Sequence, residues 1–422
     1  MRSVIRRLFD SASAVLVSVL VMMAIGIFGL LVWQFHASWQ ALDHANRVSA
    51  LAAADRLVYQ TAGSVRAGRG IARTMLLAED DPRATLTSIF AAADKRMEDV
   101  FRDIPPGLAD DTATRLVELR IAWNRATALR DGLLAVAVKP RKERSLAETQ
   151  TWFVAVGVVI TDLNELSARV AGAARISDPI VGENILARQY AWAARVAAGD
   201  ECGAVRSAFA ENIPLNPDQR TRVTEARGRA RQSMTALEEL LHRAGAPVAL
   251  IIARTDATNA MQVAFKKRDA SYETLGTARQ LDVAAWEDQC RSLLGVILSV
   301  GTVALDRMAD YAARNRANAL TDMAISGTVS VVASLGLVAS LILVRRRIIR
   351  PVGQITAAIR RLAAHDITTG VAVYRQSDEF GAMATVLEEL RHSAGEAARL
   401  VTKPATRHAT GDRREAVMDR RS

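Results

Sequence analysis

The chain has 422 residues, half of them hydrophobic, with a formal net charge of +10, six histidines and two cysteines. That length allows two or three domains. The scattered histidines argue against a metal centre, and no phosphate-cradling GxxxxGK[ST], dinucleotide GxGxxG, HExxH or CxxC stands in a supporting context, so no cofactor is expected and the chain is not read as an enzyme.

Two uncharged runs organise everything else. Asp10 and His36 bracket 25 residues without a charge, and Asp322 and Arg345 bracket another 22. A helix of about 20 apolar residues crosses the roughly 30 Å of bilayer hydrocarbon. The first run exceeds the roughly 7–15 apolar residues of a cleaved signal sequence. It has no small-residue cleavage site at its end, where Trp33 and Trp39 suit an interfacial belt. The expectation is therefore two spans, 11–35 and 324–344. Arg2, Arg6 and Arg7 precede the first, and Arg345, Arg346, Arg347 and Arg350 follow the second. By the positive-inside rule both termini, beginning with 1–10, lie in the cytoplasm, and 36–323 lies outside a bacterial inner membrane.

The charge divides along the same lines. Residues 345–422 hold 15 Lys and Arg against 9 Asp and Glu, whereas the intervening segment holds 37 against 35. The basic balance is thus a membrane-proximal property that suits anionic lipid, not nucleic acid.

The intervening segment is rich in Ala, Arg, Leu and Glu, and its predicted breaks are at 80–82, 104–107, 139–140, 177–179, 199–201, 212–217 and 245–247. Helical composition between them predicts an all-α domain, with Pro82, Pro179 and Pro247 in first helical turns. Two stretches resemble each other: "FRDIPPGLADDTATRLVELR" from Phe101 and "FAENIPLNPDQRTRVTEAR" from Phe209. That similarity suggests two tandem modules, 36–172 and 173–323, in a helical-bundle sensor. Cys202 and Cys290 both fall here. An oxidising compartment permits a bridge, but two cysteines in a large helical segment are expected as separate buried thiols.

Arg66, Arg69 and Arg73 share one helix face, and like charges at this spacing repel by a few tenths of a kcal/mol. A carboxylate or oxyanion would relieve them, since arginine grips such groups bidentately. Arg188, Trp192 and Arg195 repeat the idea. These six residues are the candidate ligand contacts for an anionic small molecule, against the plainer alternative of a solvated face with acidic neighbours. The segments "AFAENIPLNPDQRTRVTEARGRARQ" and "MQVAFKKRD" loosely resemble the helical nitrate- and nitrite-sensing type of bacterial receptor domain. Two-module helical sensor domains match equally well in length, and neither resemblance carries a ligand across.

After the second span, Pro351 is followed by Val352, Ile355, Ile359 and Leu362 at 3-4-3 spacing, a connector containing Gly370, and then Asp378, Glu379, Phe380 and Gly381. Phe380, Met383, Leu387 and Leu390 repeat the 3-4-3 spacing. Residues 345–398 resemble the HAMP linker of bacterial transmembrane receptors, such as the methyl-accepting chemotaxis receptors. The resemblance implies that Glu379 ties the second helix to the start of the first. The family more often has Ile at the place of Phe380. Two short helices with such seams cannot bury them alone, which predicts a homodimer with a parallel four-helix bundle. Ser377 or Asp378 is the expected cap of the second helix. The remaining 399–422 reads as a disordered basic tail with no output module. The reading is a membrane sensory receptor that signals through a receptor or kinase partner in trans. The rival is a dimeric membrane scaffold, or a truncated receptor, without ligand-dependent signalling.

Overall fold

A computed structural model describes residues 12–243, 245–364, 366, 368–370 and 379–401. The expectations for 1–10, for the Ser377 or Asp378 cap and for the tail beyond 401 lie outside the described residues. No strand occurs among those described, so the fold is all-α.

Helix α1 (Ala12–Ala78) and helix α9 (Val283–Val344) are the long elements, and between them lie α2 (Arg83–Asp103), α3 (Thr112–Ala128), α4 (Arg130–Val138), α5 (Leu146–Ser177), α6 (Pro179–Glu211), α7 (Pro217–Leu241) and α8 (Val248–Glu273). After α9 come five π-helical residues, Arg345–Ile349, then α10 (Arg350–Ala363) and α11 (Glu379–Val401). The chain divides into one unit of Ser38–Asp322 and another of Met1–Ala37 with Met323–Ser422.

In the second of these, α1 and α9 each hold an 18-residue window of mean hydropathy 2.1 and 2.2, with none of either window buried. Met22, Leu30, Trp33, Val332 and Leu335 are each more than half exposed. Apolar surface on this scale is stable only in hydrocarbon. The chain is a membrane protein with two candidate spans.

In Ser38–Asp322, one apolar cluster draws on α1 through α5, the start of α6 and Leu305, Met308 and Ala312 of α9. A second is shared by α6, α7, α8 and α9, and a third packs Phe209, Trp286 and Cys202 where α6 meets the start of α9. Helix α6 contributes to all three. Asp178 caps it, accepting from the amides of Ile180 and Val181 at 2.8 and 3.1 Å, and Asn216 caps α7 in a reciprocal box with Gln219. Pro179 sits in the first turn of α6 as expected, while Pro82 and Pro247 fall one residue earlier, as the N-caps of α2 and α8.

The two similar stretches adopt similar structure: each is a helix end, a short connector and a new helix, and each connector holds a non-glycine residue of positive φ, Asp111 at 59° and Asn212 at 52°. Residue 172, the expected module boundary, lies inside α5.

Two expectations are corrected, and one break is added. The break at 199–201 does not occur: α6 runs through Gly199, Asp200 and Glu201, because both acids are held from other helices. Glu201 is fully buried and accepts from Arg227 Nε at 2.8 Å, Arg268 Nη1 at 2.6 Å and the Tyr272 hydroxyl at 2.9 Å. A break the composition did not announce lies at 274–282, where Gly276 adopts φ +83° against Pro214. Finally, Cys202 and Cys290 are not separate thiols. Their Cα atoms lie 6.1 Å apart on α6 and α9, and they form a disulfide across 88 residues, which on the chain-entropy view stabilises the fold by about 4–5 kcal/mol.

Glu201→Ala would leave Arg227 and Arg268 as buried cations short of a counter-charge. It should cost about 3–5 kcal/mol in urea unfolding of the full chain in detergent. Asp218→Ala removes an exposed i,i+4 partner of Arg222 and should change stability by less than about 0.5 kcal/mol.

Candidate functional site

Helices α1, α6 and α9 of the Ser38–Asp322 unit, with Arg96 of α2, line a half-open cavity of about 530 Å³. Helix α1 lines it with Tyr59, Gly63, Arg66 and Gly70, α6 with Arg195, Gly199, Cys202 and Arg206, and α9 with Glu287, Leu294, Gly295 and Leu298. The α1 and α6 sets both follow 4-3-4 spacing, which keeps each on one helix face. Eleven residues of rise make the cavity roughly 16 Å long.

At one end, Arg206 Nη2 donates to Glu287 Oε2 at 2.9 Å, and the Thr74 hydroxyl donates to the same oxygen at 2.8 Å. Midway, Arg66 pairs with Asp200 at 3.3 Å, an acid that Arg229 shares at 3.2 Å. At the other end stands Arg195, only 5% exposed. It has no carboxylate partner. Its Nη2 meets the Gly63 carbonyl at 3.5 Å, its Nε has no acceptor, and its guanidinium lies 5.3 Å from the Trp192 ring centre. Burial first, and then the positive charge of Arg66, pull its pKa down to about 10. Its cation is therefore less stable here than in water by on the order of 3 kcal/mol. Beside it, burial holds the Tyr59 hydroxyl well above the ordinary phenol range. That hydroxyl lies against Gly301, where a Cβ would fall 2.0 Å from it, so α9 needs glycine there.

Of the six predicted contacts, the cavity gathers Arg66 and Arg195. Arg188 is turned instead to a buried ion pair with Asp55 at 3.0 Å, which also accepts from Ser167 at 3.1 Å. Trp192 packs on Tyr59 with ring centres 5.2 Å apart. Arg69 faces α5 at Gly157, and Arg73 lies 5.7 Å from the Phe153 ring centre. Burial, then the positive charges of Arg66, Arg73 and Arg206, lower the pKa of Arg69. Tyr59, Arg206 and Glu287 were not foreseen. The mid-helix glycines at 63, 70, 199 and 295 were the available signal, because each marks a place where a helix face is kept free of side chain.

The other unit holds the second site. Arg350 donates its amide to the Arg345 carbonyl, five residues back, which defines the π segment. Pro351 opens α10 in its first turn. Ala358 of α10 and Ala384 of α11 are buried, and Leu362 and Leu387 line one small recess. Pro351, Ile355 and Phe380 are half-buried, whereas Ile359, Met383 and Leu390 are 49%, 55% and 54% exposed. Glu379 opens α11 and is exposed, and no hydrogen bond joins it to α10 among the described residues. In the connector, Asp366 accepts from the Thr368 hydroxyl at 2.7 Å and its amide at 3.2 Å, bonds that lower its carboxyl pKa.

Residues 343–396 match the family model of the HAMP domain. No curated protein matches the chain, and no solved structure matches it. Residues 343–396 are thus a HAMP domain, a signalling linker rather than a catalytic module, as in HAMP-containing sensory receptors.

The two cavity arginines at opposite ends give opposite expectations. Arg195→Met removes an unpaired buried cation and should raise stability by about 1–2 kcal/mol. Arg206→Met strands Glu287 and should lower it by about 2–4 kcal/mol. Thermal unfolding of the two variants in the same detergent checks the sign of each.

Proposed function

We propose that this chain is the sensing and relay part of a bacterial inner-membrane receptor. Ser38–Asp322 lies outside, both termini are cytoplasmic, and an external anionic small molecule occupies the cavity between α1, α6 and α9. The arginine asymmetry around the spans supports the orientation. The internal resemblance around Phe101 and Phe209 supports descent of the outer unit from two modules, 36–172 and 173–323.

The observation that carries the reading is the continuity of α9. One helix supplies Glu287, Leu294 and Leu298 to the cavity and then runs on as the second candidate span. A ligand that shifts α9, together with the α6 to which the disulfide ties it, against α1 therefore moves the element that enters HAMP. Packed helices have discrete arrangements, and a ligand that binds one of them better shifts the balance by its differential affinity.

At the other end, the exposed seam of Ile359, Met383 and Leu390 supports pairing with a second HAMP. A homodimer satisfies it. Because such seams are chemically generic, a related receptor or kinase subunit satisfies it too, giving chemotaxis-like output in trans. A ligand-free scaffold accounts for the seam but not for an unpaired cation kept in a cavity wall.

Cysteine crosslinking in native membranes tests the relay. Cys202 and Cys290 are already joined, so Met383→Cys introduces the reactive thiol. The expected result is a crosslinked dimer under mild oxidation, reduced severalfold by Leu387→Asp, which buries a charge in the seam. Crosslinking indifferent to Leu387→Asp would refute the seam pairing.

A further inference from the structure

We infer that the cavity takes an organic monoanion, a carboxylate carried on an apolar body, with its charged end at Arg195. The inference rests on the receptor reading of this same site and narrows its ligand class.

Charge fixes the number and place of the anionic group. Arg66 and Arg206 each already face an acid, Asp200 and Glu287. Arg291 reaches solvent beside Asp288, and Arg96 is partly exposed at the rim. Among the described residues that line the cavity, Arg195 alone is buried and without a counter-ion. A single carboxylate satisfies a single guanidinium bidentately. A second anionic group deeper in the cavity would meet Glu287.

Shape and polarity fix the rest. A volume of about 530 Å³ is in the range of sites for organic ligands and far exceeds a small inorganic oxyanion. Leu294 and Leu298 line the α9 wall, and an inorganic ion would leave them facing water. The glycines keep that space open rather than relieve a clash. A Cβ at Gly63 or Gly199 would come no closer than 3.9 Å to any neighbour, and one at Gly295 would meet nothing within 4 Å. A methyl group would fit at each of them without a clash, at the expense of cavity space.

The test uses the full chain in lipid nanodiscs. The probes are acetate, hexanoate, octanoate and benzoate, with sodium nitrate, sodium phosphate and hexylammonium at matched ionic strength. Binding is followed by titration calorimetry and by the shift in unfolding temperature. Hexanoate, octanoate or benzoate should bind saturably and raise the unfolding temperature, while acetate, nitrate, phosphate and hexylammonium should not. Arg195→Gln should weaken binding at least about thirtyfold. Gly295→Leu, whose Cβ meets nothing within 4 Å, should abolish binding while leaving the unfolding temperature of the free protein unchanged or higher.

Saturable binding of nitrate or phosphate alone, equal affinity in Arg195→Gln, or no response to any carboxylate overturns the assignment. The Met383→Cys crosslinking rate, measured in the same samples, separates this from the receptor reading. A carboxylate that binds through Arg195 yet leaves crosslinking unchanged upholds the ligand class and removes the signalling role. Crosslinking that responds only to a probe of another class does the reverse.

Discussion

Pairing of buried charge between helices is the constraint on which the outer unit depends. Ala-rich helices pack closely but slide easily, because a stripe of small side chains offers little to fix the axial register. Here register is fixed by ions. Asp55 on α1 meets Arg188 on α6, Glu201 on α6 meets Arg227 on α7 and Arg268 on α8, and Glu287 on α9 meets Arg206 on α6. Each pair is buried, so a shift of one turn strands a charge in a medium that penalises it heavily. The disulfide between α6 and α9 adds a covalent stop. Helix α6 takes part in all of these, which makes it the axis against which the others are set. Against this background Arg195 stands out, since it is carried by the same helix and shielded as thoroughly, yet no acid answers it.

How much of this was legible in the sequence follows from the range of the forces involved. The spans and the HAMP domain were readable because hydrocarbon thickness and seam periodicity act on neighbouring residues. Most helix ends were readable for the same reason, as proline, glycine and capping side chains work within one turn. The run at 199–201 misled because glycine followed by two acids breaks a helix only when those acids are free. Asp200 and Glu201 are bound by arginines 29, 26 and 67 residues away in sequence. The disulfide escaped for a similar reason, its partners being 88 residues apart.

The candidate site was legible in part. Arginine at intervals on α1 and α6 announced cationic faces, but not which cations were already neutralised. Arg188 and Arg195 lie on the same helix seven residues apart and read alike, and only the position of Asp55 opposite the first tells them apart. Glu287 could not be found at all without knowing that the start of α9 lies against the middle of α6. Sequence periodicity says which residues share a face; it says nothing about what faces them.

The cavity glycines carry a consequence for anyone who modifies this protein. A glycine inside a helix is less favourable than alanine by about 1 kcal/mol, and at Gly63, Gly199 and Gly295 the Cβ of an alanine fits without a clash. Directed evolution for thermostability, or sequence redesign on this backbone, would therefore fill those positions first and replace Arg195 soon after. The product would fold better, express better and retain every helix, while the chamber that distinguishes it from an inert bundle closed. Selection for robustness and selection for the site pull in opposite directions at the same few residues.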